Sequence, residues 1–304
     1  MLERDEVRWG LAQRFEFIEW RVYWTGKVNR GDIVDKFGVS VPQASVDLRD
    51  YQEKWPDNIQ YDGTEKAYVL QGGFKPRYID LSADRYLLQL NAMLNGAILP
   101  RDTWFASPPP AAVTQMIARS VDPATLRGIL KAIEQRQEVE ILYQSLTNTR
   151  RRRIAPHSLA FDGHRWHARA FCVEREEFRD FVFSRMRALD PGPPSPANPS
   201  DDIEWLTLLE LKIIAHPALD GPQKSAIEHD FGMKDGVLKV KPRVALAFYL
   251  IKRLNLDLDD ESIDPARKQI CLMNMDEFEE AREAARATSR RRVEARKAGE
   301  VVAY

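Results

Sequence analysis

The chain has 304 residues, of which 44% are hydrophobic and 30% are charged, and its formal net charge at pH 7 is −1. This length predicts two or three domains, and the composition is that of an ordinary globular protein. The near-zero net charge excludes a global basic field that would attract nucleic acid, so any such field must be local.

The two cysteines, Cys172 and Cys271, lie far apart and lack the CxxC spacing of a metal site. They therefore indicate neither a zinc site nor a disulfide framework. The first residues lack the basic-then-apolar pattern of a signal peptide, and no apolar run approaches the roughly 18–20 residues of a membrane span. We therefore expect a cytoplasmic protein that has no membrane partner.

Three helices are predicted at the N-terminal end of the chain. Apolar residues at three- and four-residue spacings predict an amphipathic helix over residues 7–24. Asn29 and Gly38 are residue types that begin and end a helix, and Ser40 is a type that begins the next one. That third helix should stop before Pro56.

A β-hairpin is predicted next, because Asp62-Gly63 separates the strand-like runs 59–61 and 67–69. Two short helices followed by a hairpin form a winged helix-turn-helix, which we predict for residues 1–75. The second helix of the pair would then enter the major groove of DNA. The residues expected at base edges are Ser40, Gln43, Ala44 and Ser45. The residues expected at phosphates are Lys27, Arg30, Arg49, Lys54 and Lys66.

The residue types on the third helix suit base contacts only in part. Gln43 can pair bidentately with adenine, and Ala44 can touch a thymine methyl group. The acidic residues Asp47 and Asp50 on the same helix oppose DNA binding. The residue pattern alone therefore leaves open a trihelical core that binds no DNA.

Residues 76–126 are predicted to be a helical connector. A helix should begin at Ser82 and end at Gly96, and another should begin at Asp122. The prolines at 108–110 indicate an extended segment between these helices. We hypothesise that this connector transmits a signal between the flanking domains.

Short runs rich in aromatic and β-branched residues predict a small all-β unit within residues 138–186, with a hairpin at Asp162-Gly163. Period two puts four residues of one strand on one face, namely Arg165, His167, Arg169 and Phe171. It puts the predicted core residues on the other face, namely Trp166, Ala168, Ala170 and Cys172. Like-charge repulsion disfavours the first set unless an anion or carboxylate lies nearby. That face is therefore either solvated or an anion-binding surface.

This β unit resembles a WYL domain, the small Sm-like β-barrel of many bacterial regulators. The matching features are Tyr143-x-Ser145, Arg152-x-x-x-Pro156-His157, Gly163-x-Arg165-Trp166 and Phe181-x-x-x-Arg185. The family's hallmark tripeptide Trp-Tyr-Leu falls on Trp166-His167-Ala168, so only its tryptophan is retained.

The segment Val39-Ser40-x-Pro42-Gln43-Ala44-Ser45-x-Asp47-Leu48 resembles the recognition segment of the BrxR/CapW type of WYL regulator. These transcription factors are linked to anti-phage defence loci. The resemblance implies an α+β multidomain fold, with the WYL domain at residues 127–190. After a proline-rich boundary, residues 201–304 resemble the C-terminal extension of these regulators, a small α/β dimerisation domain, here with a charged tail.

The resemblance implies a homodimeric transcriptional repressor of an anti-phage defence operon that binds a double-stranded DNA operator. Two-fold symmetry predicts that this operator is an inverted repeat. The expected effector site consists of Tyr143, Ser145, Arg152, His157, His167, Arg169 and Arg185. Guanidinium groups and aromatic faces suit a phosphate and a base, which predicts a nucleotide or a short nucleic acid. We expect Arg169→Ala to abolish the response to this ligand without affecting folding.

An enzyme is not expected. The five histidines show no metal-ligand spacing, and the chain has no GxGxxG, Walker or Gly-x-Ser-x-Gly motif. No cofactor is expected either. The main alternative is a WYL module that binds nucleic acid or a nucleotide and modulates a partner enzyme without sequence-specific duplex binding. A nucleotide hydrolase is a third hypothesis, and it predicts metal-dependent turnover.

Overall fold

The computed structural model describes residues 9–105, 107–114, 117, 119–258 and 263–299. The chain forms two compact units, Met1–Ile117 and Ala118–Tyr304. Within the described ranges, every helix is too short or too polar to cross a membrane.

The first unit contains a helical core and an antiparallel sheet with strand order β1-β3-β2. Its elements are α1 (Trp9–Thr25), β1 (Lys27–Val28), α2 (Arg30–Phe37), α3 (Val41–Lys54), β2 (Ile59–Asp62), β3 (Ala67–Leu70) and α4 (Ala83–Leu94). The predicted caps are confirmed: Asn29 accepts the Asp32 N–H, Ser40 accepts the Gln43 N–H, and Gly38 adopts a left-handed φ of 66°. The predicted winged helix-turn-helix is therefore present.

The predicted hairpin forms between β2 and β3, but its turn differs from the expected one. Gly63 does not take the left-handed conformation, which falls instead on Lys66 at φ 51°. The Asp62 carboxylate accepts the backbone N–H groups of Thr64 and Glu65. A four-residue loop held by an aspartate side chain thus replaces the tight two-residue turn.

Glu19 is a fully buried carboxylate in the aromatic core of this unit. It accepts hydrogen bonds from the Tyr51 hydroxyl at 2.8 Å and from the backbone N–H groups of Arg77, Tyr78 and Ile79. Burial raises the pKa of Glu19, and the hydrogen bonds only partly oppose this effect. Through Glu19, α1 is connected to α3 and to the chain that follows the β2–β3 hairpin, which is the wing of the winged helix.

The helix predicted in the connector is α4, which Ser82 caps and after which Gly96 adopts φ 72°. It packs against α1, where the rings of Trp20 and Tyr86 stack with centroids 5.8 Å apart. The first unit ends at Ile117, inside the region predicted to connect two domains.

The second unit contains a five-stranded antiparallel sheet, in the order β7-β6-β5-β4-β8, and a three-stranded one, in the order β10-β9-β11. Its elements are α5 (Pro123–Gln135), β4 (Gln137–Gln144), β5 (Thr149–Phe161), β6 (Trp166–Cys172), β7 (Glu177–Val182), β8 (Met186–Pro194), α6 (Ile203–Leu206), β9 (Leu211–Ala215), α7 (Gly221–Asp230), β10 (Val237–Val240), α8 (Val244–Arg253), β11 (Ile270–Leu272) and α9 (Met275–Lys297). The start of the proline-rich boundary lies within β8, which is an edge strand and therefore tolerates proline.

Residues on both faces of β6 are buried. Ala168, Ala170 and Cys172 lie in the predicted core of the five-stranded sheet. Trp166, expected on the same face, is 49% exposed because it is the first residue of the strand, and it packs on Phe161 instead. His167, Arg169 and Phe171 on the opposite face are also buried, so of the two alternatives for that face the solvated one is wrong.

We expect Glu19→Ala to lower the free energy of unfolding of the first unit by about 3 kcal/mol, because its buried donors would lose their acceptor. Glu19→Gln should cost roughly 1 kcal/mol, since an amide oxygen still accepts and no charge is buried. Urea unfolding followed by tryptophan fluorescence measures this, because five of the seven tryptophans lie before residue 118. The exposed Glu53→Gln is the matched control. An Ala variant as stable as the parent would contradict this role.

Candidate DNA-binding and ligand-binding sites

Helix α3 has one buried face and one solvent-facing face. Ser40 and Gln43 are exposed and Ser45 is half-buried, whereas Ala44 is fully buried. The predicted contact of Ala44 with a thymine methyl group is therefore wrong. Ala44, Leu48 and Tyr51 follow the helical period and form the stripe that packs into the core.

The five cations predicted to contact phosphates are all exposed on the winged helix. Arg30 begins α2 and Arg49 lies on α3. Lys27 forms an exposed ion pair with Glu65 of the wing at 2.7 Å. The remaining two are Lys54, whose ammonium lies over the Trp55 ring, and Lys66 in the wing turn.

The acidic residue Asp47 does not face the solvent side of α3. Its side chain is 1% exposed and forms an ion pair with Arg14 of α1, with Nε 2.6 Å from Oδ2. The Gln43 amide also donates to Asp47 Oδ1 at 2.8 Å. The expected electrostatic conflict with DNA is thus absent at position 47, because a residue 33 positions away compensates the charge.

A cavity of about 370 Å³ opens at one end of the five-stranded sheet of the second unit. We call it the arginine pocket, and its arginines are Arg150, Arg152, Arg175, Arg179 and Arg185. It also contains Tyr143, Ser145, Asp180 and Phe181. Four of the seven predicted ligand residues, Tyr143, Ser145, Arg152 and Arg185, therefore lie together.

The β4–β5 hairpin positions one wall of the arginine pocket. Tyr143 pairs with Arg150 in the antiparallel register, and Ile141 pairs with Arg152. The Tyr143 ring contacts the Phe181 ring edge-on at 5.3 Å, and its hydroxyl accepts the Val182 N–H. These contacts hold the aromatic wall of the pocket in place.

The polar groups of the arginine pocket differ in how fully they are hydrogen-bonded. The Ser145 hydroxyl donates to the Asn148 carbonyl at 2.8 Å and accepts two backbone N–H groups of the same turn. Arg152 is only 9% exposed, and its buried Nε has no hydrogen-bond partner among the described residues. A buried guanidinium donor without an acceptor is unfavourable. An anion bound beside Arg152 would supply the missing acceptor.

The other three predicted ligand residues lie outside the arginine pocket, on the buried face of the sheet. Arg169 is 3% exposed, and its Nε and Nη2 donate to Asp202 at 2.7 and 2.8 Å. Its guanidinium also bonds Glu204 at 3.0 Å and Asp180 at 3.4 Å. His157 Nε2 lies 3.0 Å from Asp202. The predicted seven-residue site is thus divided, and the anions beside Arg169 are the chain's own carboxylates.

The protonation of this network follows from its geometry. Burial by itself would lower the pKa of Arg169, but Asp202, Asp180 and Glu204 raise it above its ordinary value. Burial likewise would raise the pKa of Asp202, and Arg169 and His157 lower it below its ordinary value. Arg169 and Asp202 therefore both remain charged at neutral pH.

His167 has a different carboxylate partner. Its Nε2 lies 2.9 Å from Asp162, and its ring packs against Tyr249 of α8 at 5.0 Å. Asp162 also accepts the backbone N–H groups of His164 and Arg165, and Gly163 adopts φ 96°, which confirms the predicted hairpin. Burial would raise the pKa of Asp162, yet its hydrogen bonds lower it to about 2.

Sequence reasoning missed three arginines of the arginine pocket. Arg150 shares a strand face with Arg152, so period two could have found it. Arg175 and Arg179 come from the β6–β7 region, and no local pattern connects them to β5. Within the described residues, no group of three or more His, Cys, Asp or Glu side chains could hold a metal ion.

Contrary to the expectation from the sequence, we predict that Arg169→Ala destabilises the second unit by about 3–5 kcal/mol, because it leaves buried carboxylates unpaired. Arg151→Ala is the matched control, since this exposed arginine also pairs with a carboxylate, Glu140, at 2.8 Å. An exposed pair contributes about 0–1 kcal/mol. Thermal unfolding of both variants measures the difference, and equal melting temperatures would contradict a structural role for Arg169.

Comparison with known proteins identifies the domains. Residues 10–92 match the BrxR transcriptional regulator winged helix-turn-helix domain, and residues 124–191 match the WYL domain. Residues 208–278 match the BrxR transcriptional regulator C-terminal dimerization domain. These are domains of a regulator and not of an enzyme.

Several curated relatives carry the description "DNA-binding transcriptional repressor CapW". The protein of Escherichia coli (strain KTE188) is 37% identical over 280 residues, which cover 90% of this chain and 93% of the relative. The proteins of Pseudomonas aeruginosa and Stenotrophomonas maltophilia are 34% and 33% identical over 279 residues, covering 91% of this chain and 93% of each relative. The chain therefore belongs to the BrxR/CapW family of WYL-domain transcriptional regulators.

Proposed function

We propose that this chain is a homodimeric, DNA-binding repressor of an anti-phage defence operon, controlled by a nucleotide or short nucleic acid in the arginine pocket. The observation that carries the proposal is that one chain combines an exposed face of α3, the second helix of the helix-turn-helix pair, with a pocket in which the buried Nε of Arg152 lacks an acceptor. The first feature suits duplex DNA, and the second suits a phosphate-bearing ligand.

DNA binding is supported by the solvent-facing side of the winged helix. Ser40 and Gln43 are at the N-terminal end of α3, the part of a recognition helix that meets base edges. Exposed cations of the winged helix suit phosphate contacts, namely Lys27, Arg30, Arg49, Lys54 and Lys66. A dimerisation domain in the same chain implies two recognition helices, which should lie ~34 Å or a multiple of that distance apart on an inverted repeat.

A phosphate-bearing ligand is supported by the charge and shape of the arginine pocket. Its lining has five arginines and one carboxylate, Asp180, and positive charge remains in excess although Arg179 also pairs with Glu177 at 3.0 Å. Planar guanidinium groups match phosphate oxygens bidentately. The partly exposed ring of Tyr143, which packs edge-on against Phe181, offers apolar surface for a base. The volume of about 370 Å³ is within the ordinary range of ligand pockets, ~300–1,000 Å³.

Strand β7 offers a route from the ligand to the dimerisation domain. It is an edge strand, and its residues Arg179, Asp180 and Phe181 all line the arginine pocket. Asp180 bonds Arg169 and accepts the hydroxyl of Tyr249 on α8 at 2.9 Å. A ligand that moves β7 would therefore change its contact with α8 and favour a dimer geometry that no longer fits the operator.

The decisive test of DNA binding is a gel-shift titration on the duplex upstream of the chain's own gene, beside a scrambled duplex at the same salt concentration. We expect selective binding and a footprint over an inverted repeat. Arg49→Ala should weaken binding to all duplexes and reduce the salt dependence by about one phosphate contact. Equal, weak binding to both duplexes would contradict the proposal and favour the module that modulates a partner enzyme.

The ligand can be tested by calorimetric titration of the purified protein with nucleotides and short single strands. We expect Arg152→Ala and Arg185→Ala each to weaken binding roughly 10- to 100-fold, because each removes a charge-assisted hydrogen-bond donor group. Arg151→Ala is the control, since Arg151 is on the opposite face of β5. Both pocket variants should bind the operator without responding to the ligand. Unchanged ligand affinity in both would exclude the arginine pocket.

A further inference from the structure

We infer that α3 recognises two adjacent A·T base pairs, with Gln43 on an adenine and Val46 on the methyl group of a thymine. The inference rests on the proposed binding of DNA by this helix. It further assigns Asp47 and Arg14 as positioning residues that hold the Gln43 amide in the orientation that adenine requires.

Val46 is an apolar side chain on the solvent-facing side of α3. It is 40% exposed, and its helical neighbours on that side are Gln43, Arg49 and Asp50. A β-branched residue is a poor helix former, so helix propensity gives no reason for valine at an exposed helix position. An apolar group at the protein–DNA interface contacts the thymine C5-methyl group in the major groove. We therefore assign the contact with a thymine methyl group to Val46 and not to the buried Ala44.

The Gln43 side chain is held in a defined orientation. Its Nε2 donates to Asp47 Oδ1 at 2.8 Å, and Asp47 is in turn bonded by Nε and Nη2 of Arg14 at 2.6 and 3.2 Å. An amide nitrogen has two hydrogens, so one N–H and the amide oxygen remain available. One donor beside one acceptor matches the N7 acceptor and the N6 amino donor of adenine. Guanine presents two acceptors there and would leave the amide oxygen unpaired.

The spacing of the two residues fits neighbouring base pairs. Gln43 and Val46 are three residues apart, which is a rise of ~4.5 Å along an α-helix. Successive base pairs are ~3.4 Å apart along the duplex. An adenine contacted by Gln43 and a thymine contacted by Val46 are therefore expected in consecutive pairs of each half-site.

The test begins by enriching duplexes from a random pool with the full-length protein, followed by base substitutions in the enriched site. Replacing this thymine in one of the two half-sites with deoxyuridine, which lacks the methyl group, should weaken binding about four-fold for the parent protein. The same replacement should have no effect on Val46→Ala. Leu88→Ala, which shortens an exposed apolar side chain on α4, should keep the full four-fold effect.

The adenine contact and its positioning pair need a separate measurement. Replacing the adjacent adenine with 7-deazaadenine removes the N7 acceptor. It should weaken duplex binding by the parent protein roughly ten-fold and leave duplex binding by Gln43→Ala unchanged. The double variant Arg14→Met with Asp47→Leu replaces the ion pair by apolar residues, an exchange that is often neutral for folding. It should lose the preference for adenine and keep the sensitivity to deoxyuridine.

The outcomes separate this inference from the proposed function. A pool that yields no enriched sequence would overturn DNA recognition itself. An enriched sequence whose affinity changes equally in the parent and in Val46→Ala on deoxyuridine replacement would overturn the assignment of Val46. A double variant that keeps the full adenine preference would overturn the positioning role of Asp47 and Arg14.

Discussion

The fold of the second unit depends on one buried guanidinium, that of Arg169, and on the carboxylates around it. An isolated buried charge costs several kcal/mol, so Arg169 can be inside only because Asp180, Asp202 and Glu204 surround it. Glu204 also accepts from Arg286 of α9 at 2.9 Å. A single charge network thereby joins β6, β7, α6 and α9. Separating the five-stranded sheet from the C-terminal region would expose or orphan these charges, so a displacement of β7 also changes the contacts of the C-terminal region.

The arginine pocket also contains a buried arginine, but there the positive charges outnumber the carboxylates. Around Arg169 the chain supplies its own anions, whereas at the arginine pocket the described residues supply few, and Arg152 is buried with an unpaired Nε. Such a balance favours the binding of an anion from outside. Asp180 of strand β7 belongs to both environments, because it lines the arginine pocket and lies 3.4 Å from Arg169. The proposed response to a ligand uses this shared residue, because a shift in one environment changes the contacts of the other.

In α3, the proposed recognition helix, a buried charge is again compensated within the chain. An acidic residue on a helix that enters DNA would repel phosphates if it were exposed, but Asp47 is buried against Arg14. Its charge instead holds the amide of Gln43, which is exposed. The solvent-facing side of α3 thus presents the hydrogen-bonded amide of Gln43 and the apolar side chain of Val46. The negative charge at position 47 is compensated and does not oppose DNA there.

The sequence by itself determined the features that depend on near neighbours. The caps at Asn29, Ser40 and Ser82 and the hairpin at Asp162 follow from residues within three or four positions, because these motifs are closed by local hydrogen bonds. Helical periodicity could also have identified the buried stripe of α3. Which charges are compensated could not be predicted from the sequence, since Arg14 lies 33 residues from Asp47, and Asp202 lies 33 residues from Arg169. Strand alternation grouped His167 with Arg169, but it could not show that carboxylates from another element cover them. Whether a polar face binds a ligand or packs inside depends on such long-range contacts.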